Sequence, residues 1–231
     1  MNKMIRIAVD AMGGDNSPQK IIDGIELHTK KTKNVFYKIF GDEDLIKPAI
    51  SKKNIDKNIY EIIHTKDTIK GEDSAFTAAK RGKNTSMWLA IESVKNNSSD
   101  IVVSAGNTGA LLVIAKLNLK MIENIDKPAL SGLWPSKKGM SVVLDLGANV
   151  ECGDKNLIDF AIMGSSLFKS LFPEDNPKVA LLNIGSEEVK GNEIIKETYQ
   201  KLNQIVNEDF EFKGFIEGSN IMDGDVNVIV A

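Results

Sequence analysis

Short apolar, β-branched runs recur along this chain, and helical patterns fill the gaps between them. IRIAV (Ile5–Val9), VFYKIF (Val35–Phe40), IYEIIH (Ile59–His64) and IVVS (Ile101–Ser104) read as strands, as do SVVLDL (Ser141–Leu146), VALLNI (Val179–Ile184), FKGFIE (Phe212–Glu217) and VNVIV (Val226–Val230). Helices are predicted from Ser17, over 73–95 with a break near Gly82, and over about 108–121, 157–172 and 193–206. Ser17 is placed to cap the first of these, with Pro18 at its first position and Ile21, Ile22 and Ile25 as its buried stripe. Strands alternating with helices predict an α/β fold with a mostly parallel sheet and helices on both faces. Continuous apolar strands, rather than strictly alternating ones, agree with burial on both sides. No repeat or proline-rich linker divides the 231 residues, so they read as one domain, elaborated between 66 and 86. The chain ends inside the apolar run VNVIVA without a following turn, so a longer protein is expected.

Charge and cysteine content narrow the function. The formal net charge of −3 gives no basic field, and no Lys/Arg block alternates with aromatics, so no nucleic-acid partner is expected. The lysines of KKTKN, ending at Asn34, read as a solvated helix end. One cysteine, Cys152, excludes an internal disulfide and points to the cytoplasm. No run approaches the roughly 20 apolar residues of a membrane span. His28 and His64 have no Cys or His at ligand spacing, so no metal is expected and both read as structural or exposed. Cys152 has no accompanying histidine and reads as a small buried or half-buried residue.

In open α/β sheets, ligands bind beyond the carboxyl ends of the strands. The residues there are rich in Gly, Asn and Asp: DAMGGDNSP (Asp10–Pro18), SAGNTGALL (Ser104–Leu112), DLGANVEC (Asp145–Cys152) and the NIGSEEVKGNE that starts at Asn183. Glycine lets backbone approach a ligand, and amides at helix starts favour anions. Neither GxGxxG after the first strand nor GxxxxGK[ST] occurs, so no nucleotide cofactor is expected. An anion held by amides, asparagines and one or two cations fits better, with Lys190 and Arg81 as the candidate cations.

IAVDAMGGDNSP, SAGNTGALL, KPAL (Lys127–Leu130), VLDLGANVEC, AIMGS (Ala161–Ser165) and LLNIGSEEVKGNE occur in the order of one family's motifs. Over its whole length the chain resembles PlsX, the phosphate acyltransferases of bacterial phospholipid synthesis. The resemblance implies transfer of a long-chain fatty acyl group from acyl carrier protein to inorganic phosphate, giving an acyl phosphate. A downstream glycerol-3-phosphate acyltransferase would consume it on the route to phosphatidic acid. The resemblance also implies a fold similar to the isocitrate/isopropylmalate dehydrogenases and phosphotransacetylases, no cofactor, a homodimer, and a cytoplasmic protein with peripheral membrane contact. The family continues with a DGFxGN loop beyond Ala231, then helices tied to dimerisation and the membrane. It usually carries His where this chain has Asn16.

Such a reaction needs orientation and charge stabilisation more than acid–base groups, because phosphate is already nucleophilic and a thioester already activated. The expected catalytic residues are Lys190 to offset anionic charge, Asn107 to bind oxygens, and Asp145 to orient partners. Expected substrate contacts are Asp10, Gly13, Gly14, Asn16, Ser104, Gly106, Thr108, Gly109, Asn149 and Asn192. Two alternatives stay open: a phosphotransacylase acting on CoA thioesters, and a non-enzymatic acyl-binding or scaffold protein.

Overall fold

The computed structural model describes residues 4–80, 82–187, 190–205 and 209–231. Where the sequence reads as one domain, the residues gather into two compact units, Met1–Lys120 and Met121–Ala231.

The first unit holds a four-stranded parallel sheet in the order β3-β2-β1-β4, built from β1 (Ile5–Asp10), β2 (Val35–Gly41), β3 (Tyr60–His64) and β4 (Ile101–Ser104). Alternate side chains leave opposite faces of each strand. Val9, Val35, Tyr37 and Ile39 pack with Ile22 and Ile25 of α1 (Gln19–Thr29) and with Ile46 and Ile50 of α2 (Glu43–Ser51). On the other face Ala8 and Phe40 pack with Ala90 of α4 (Ser86–Lys95). Met87 and Ile91 of that helix meet Ala110 and Ile114 of α5 (Thr108–Leu119), together with Ala78 of the short α3 (Ala75–Lys80). The break expected near Gly82 separates α3 from α4.

Ser17 does not cap α1. The helix begins at Gln19, Pro18 occupies the cap position, and the Ser17 hydroxyl donates to the Gly13 carbonyl at 2.5 Å. The hydroxyl closes the preceding turn instead, a local bond that serine offers as readily as a cap.

The second unit holds five strands in the order β5-β6-β9-β7-β8: β5 (Ser131–Ser136), β6 (Gly139–Leu144), β7 (Lys178–Asn183), β8 (Glu211–Glu217) and β9 (Val228–Val230). All pairs are parallel except β5 with β6, a hairpin turning at Lys137 and Lys138. Val142, Leu144, Val179, Leu181, Val228 and Val230 pack against Leu157, Phe160 and Phe168 of α6 (Asp154–Leu171) and Leu202 of α7 (Glu193–Gln204). Val143, Ala180 and Ile229 face the other way, onto Ile221 of a 3₁₀ segment at Gly218–Asp223. Phe160 is wholly buried, and truncating such a phenylalanine to alanine costs about 3–5 kcal/mol. β7 ends one residue earlier than the apolar run suggests, leaving Ile184 82% exposed.

Candidate functional site

β1 and β4 are neighbours in register, which places Asp10 opposite Ser104 at the carboxyl edge of the first sheet. Asp10 is 1% exposed. A buried carboxylate needs donors, and it has them. Ser104 Oγ donates to Asp10 Oδ2 at 2.7 Å, Ser86 Oγ to Oδ1 at 2.6 Å, and the Met12 amide to Oδ1 at 3.3 Å. Ser104 Oγ in turn accepts from the Gly106 amide at 3.1 Å. The loops after β1 and β4 are thereby drawn together. A Cβ on Gly13 would stand 2.7 Å from Asp10 Oδ2 and 2.7 Å from the Gly106 amide nitrogen, so only glycine fits. Gly14 has φ +83°, and a Cβ there would stand 2.5 Å from the Ala105 carbonyl oxygen. Four expected residues, Asp10, Gly13, Ser104 and Gly106, thus form one hydrogen-bonded and close-packed floor.

Above it lies a cavity of about 470 Å³. Met12, Gly14 and Asp15 line one side, Thr68–Gly71 another, and Ala105–Asn107 the third. Lys70 is a cation on this wall that the sequence reading missed, because nothing in TIKGED distinguishes it from a solvated loop lysine.

Asn107 is the N-cap of α5, with its Oδ1 accepting from the Ala110 amide at 2.9 Å. Its Nδ2 donates to the Gly71 carbonyl at 2.8 Å and the Asp73 carbonyl at 2.9 Å. Both amide protons are therefore engaged in tying the lysine-bearing wall to the helix start. Thr108 and Gly109 open α5 and are exposed. Asn16 sits in the exposed turn before α1 at φ +59°, a left-handed conformation that asparagine tolerates better than most residues. Arg81 lies outside the described residues.

The second unit has its own cluster at a carboxyl edge. Asp145, directly after β6, accepts at Oδ1 from the Leu130 amide at 2.8 Å and the Ala148 amide at 3.2 Å. Its Oδ2 accepts from the Asn149 amide and from Asn149 Nδ2, both at 2.8 Å. Asn149 Nδ2 also reaches the Pro128 carbonyl at 2.7 Å, and Lys127 Nζ donates to the Glu151 carbonyl at 2.5 Å. The KPAL segment and the DLGANVE loop are so fastened into one piece. Cys152 is half-buried, and burial pushes its thiol above the ordinary range despite nearby Lys127. A thiol held protonated is a poor nucleophile.

Lys190 is exposed in the loop after β7 and forms no ion pair among the described residues. The Asn183 side chain donates to the Lys190 carbonyl at 3.2 Å, and the Lys190 amide donates to the Glu187 carbonyl at 3.0 Å. Asn192 caps α7 through the Ile195 amide at 2.9 Å, so its side-chain oxygen is engaged. Glu188 lies outside the described residues. Both histidines are exposed, and each makes a hydrogen bond: His28 Nδ1 meets the Tyr37 hydroxyl at 2.6 Å, and His64 Nδ1 accepts from the Glu43 amide at 3.2 Å. Among the described residues no group of three His, Cys, Asp or Glu side chains is placed to hold a metal ion, and no helix is long and apolar enough to cross a membrane.

Comparison with known proteins settles the family. The family model described as "Fatty acid synthesis protein" matches residues 5–231. A phosphate acyltransferase of Pelagibacter ubique is 73% identical over all 231 residues, which span 69% of that relative. This chain belongs to the phosphate acyltransferase (PlsX) family. Phosphate acyltransferases of Parvibaculum lavamentivorans and Paramagnetospirillum magneticum are 42% and 37% identical across the whole chain. The chain spans 64% and 65% of their lengths, so it corresponds to about two thirds of these family members. The fold is shared with the EutD phosphotransacetylase from Staphylococcus aureus (TM-score 0.66, 16% identity), over 97% of this chain and 76% of that one. A branched-chain phosphotransacylase from Enterococcus faecalis matches similarly, with TM-score 0.61 and 15% identity over 98% of this chain and 79% of that one.

Proposed function

We propose that this chain carries the acyl-transfer machinery of an enzyme that moves a long-chain acyl group from acyl carrier protein to inorganic phosphate. The observation that carries the reading is the identity of 73%, along the whole chain, with a phosphate acyltransferase. The polar cavity of the first unit supports it, because Gly14, Gly71 and Gly106 open its backbone to a ligand and Lys70 and Thr68 line it, with Asp15 as the acid on the same lining.

In the proposed reaction a phosphate oxygen attacks the thioester carbonyl. A C–O bond forms, the C–S bond breaks, and the carrier leaves as a thiolate that takes a proton from solvent. Lys70 and the amides at the start of α5 would attract phosphate, and Asn107 would hold their wall in place. Thr108 would offer a hydroxyl to an oxygen, while Asn16 would contribute its exposed amide. Asp10, Gly13, Gly14, Ser104 and Gly106 would set the floor. In the second unit Asp145 and Asn149 would fix the loop after β6, Asn192 would fix the start of α7, and Lys190 would offset anionic charge. Orientation of this kind supplies roughly 7–11 kcal/mol of a barrier in favourable cases, and oxyanion donors a few more. The acyl phosphate would feed a glycerol-3-phosphate acyltransferase, and the complete enzyme would work as a cytoplasmic homodimer touching the membrane peripherally.

The test offers long-chain acyl carrier protein and the matching acyl-CoA side by side with labelled phosphate. Label should enter acyl phosphate, with release of free carrier thiol. Preference for the CoA donor would replace this reading by a CoA-dependent phosphotransacylase. Acyl binding without turnover would favour the scaffold role.

A further inference from the structure

We infer that Ser86 is a positioning residue that couples the floor of the first unit's cavity to its lysine-bearing wall. The inference rests on the reading of that cavity as a phosphate site. Ser86 is 1% exposed and makes two bonds that run in different directions. Its hydroxyl donates to Asp10 Oδ1 at 2.6 Å, across 76 residues of sequence. Its amide donates to the Asp67 carbonyl at 3.0 Å. Asp10 leads directly into residues 12–14, which hold Gly13 of the floor and the Met12 and Gly14 edge of the cavity, and Asp67 leads into the wall residues 68–71. The wall is fastened a second time beside Ser86. Thr65 Oγ1 donates to the Asn84 carbonyl at 2.5 Å and accepts from the Asp67 amide at 3.2 Å.

The hydroxyl of Ser86 is not required by its helix. Thr85 is the N-cap of α4, accepting from the Trp88 amide at 3.3 Å, and Ser86 is the first helical residue. Alanine would suit that position and would keep the amide bond to Asp67. What alanine removes is one of the two hydroxyl donors on a buried carboxylate, leaving Oδ1 with the longer Met12 amide bond alone. The carboxylate would then be free to turn toward Ser104. Gly13 lies directly beside that carboxylate, so close that an added Cβ there would stand 2.7 Å from Asp10 Oδ2. A turn of the Asp10 side chain is thus passed to the floor, while the wall stays anchored through Asp67. The spacing between them changes, and so does the fit of any anion held across it.

The experiment titrates inorganic phosphate into the parent chain, Ser86→Ala, Ser86→Cys and Ser104→Ala, following the amide resonances of Gly13, Gly14, Gly71 and Gly106. S86A should bind phosphate at least tenfold more weakly, with a melting temperature within a few degrees of the parent. S86C, with a weak donor of similar size, should fall between. In the double variant S86A/S104A the loss should differ from the product of the single losses, because both act on one carboxylate. Affinity of S86A within twofold of the parent overturns the inference. So does a loss of affinity that comes only with a general change of the first unit's spectrum. If the parent itself binds no phosphate, the anion reading fails, and the coupling is judged on the resonances alone. S86A must then shift both the 12–14 and the 68–71 amides; movement of only one set overturns it.

Discussion

Asn149 grips Asp145 twice, through its backbone amide and its side-chain Nδ2, each 2.8 Å from the same carboxylate oxygen. The other oxygen of Asp145 takes the Leu130 and Ala148 amides, so four N–H groups converge on one carboxylate. Such a residue organises a loop; it has little capacity left for a substrate. Asp145→Asn keeps the shape but turns one acceptor into a donor facing N–H groups. Hydrogen bonds to charged groups contribute roughly 1.5–3 kcal/mol each, and a clash of donors adds to their loss. D145N is expected to lower the urea midpoint of the second unit by an amount equivalent to about 2–3 kcal/mol. An unchanged midpoint would show that the carboxylate does not hold the loop.

Lys190 presents the opposite case. Its side chain is exposed, and among the described residues it is the Lys190 backbone that bonds to Asn183 and Glu187. Lys190→Ala should therefore leave stability within about 0.5 kcal/mol, as surface changes usually do. Acyl phosphate formation should nevertheless fall by at least tenfold, because a cation offsetting anionic charge contributes through the transition state. Turnover equal to the parent's would remove Lys190 from the mechanism.

Asn16 stands where the resemblance leads one to expect histidine. Its φ of +59° belongs to a region in which Asn, Asp and His are enriched, so Asn16→His should be accommodated without strain. Asn16→Val should lose roughly 1–2 kcal/mol, since a β-branched residue is poorly tolerated there. If a histidine at this exposed turn serves as a base, N16H will give a turnover that rises with pH through about 6.5, the ordinary histidine value. A pH profile superimposable on the parent's would assign the position to the turn alone.

The strands were legible because both faces of each central strand are buried, which demands continuous apolar, β-branched runs such as IRIAV and VALLNI. β5, SGLWPS, was not legible. Gly132, Pro135 and its serines are weak strand formers, and only pairing with β6 makes it a strand. α2 was hidden by Pro48 inside it, although Asp42 caps it in an ordinary way. The division into two compact units leaves no composition signal, because Lys120 and Met121 adjoin without a linker-like stretch. At the site, the glycine-rich loops were visible as motifs, and the register of β1 with β4 then joins Asp10 to Ser104. Ser86 was invisible, because its partner Asp10 lies 76 residues away and RGKNTSM reads locally as no more than a helix start.

Asp159 of α6 gives the chain a predictable pH dependence. It is 7% exposed, and its Oδ2 has no hydrogen-bond partner among the described residues. Burial raises its carboxyl above the ordinary range; Lys155 Nζ, 3.9 Å away, opposes this, the Asp126 carboxylate adds to it, and a backbone bond at Asp126 opposes it again. A carboxyl whose folded pKa is raised binds its proton more tightly in the folded chain than in the unfolded one. Its stabilising contribution is complete below the unfolded value of about 4, and is lost as pH rises through the folded value. Asp159→Asn removes that titration and keeps the side chain's shape. The stability difference between D159N and the parent should therefore move in favour of the variant as pH rises from about 4 toward 7, and then level off. Urea midpoints of the two proteins measured across this range provide the check. A difference that stays constant with pH, or that moves in favour of the parent, would mean that Asp159 titrates in the folded chain as it does in the unfolded one.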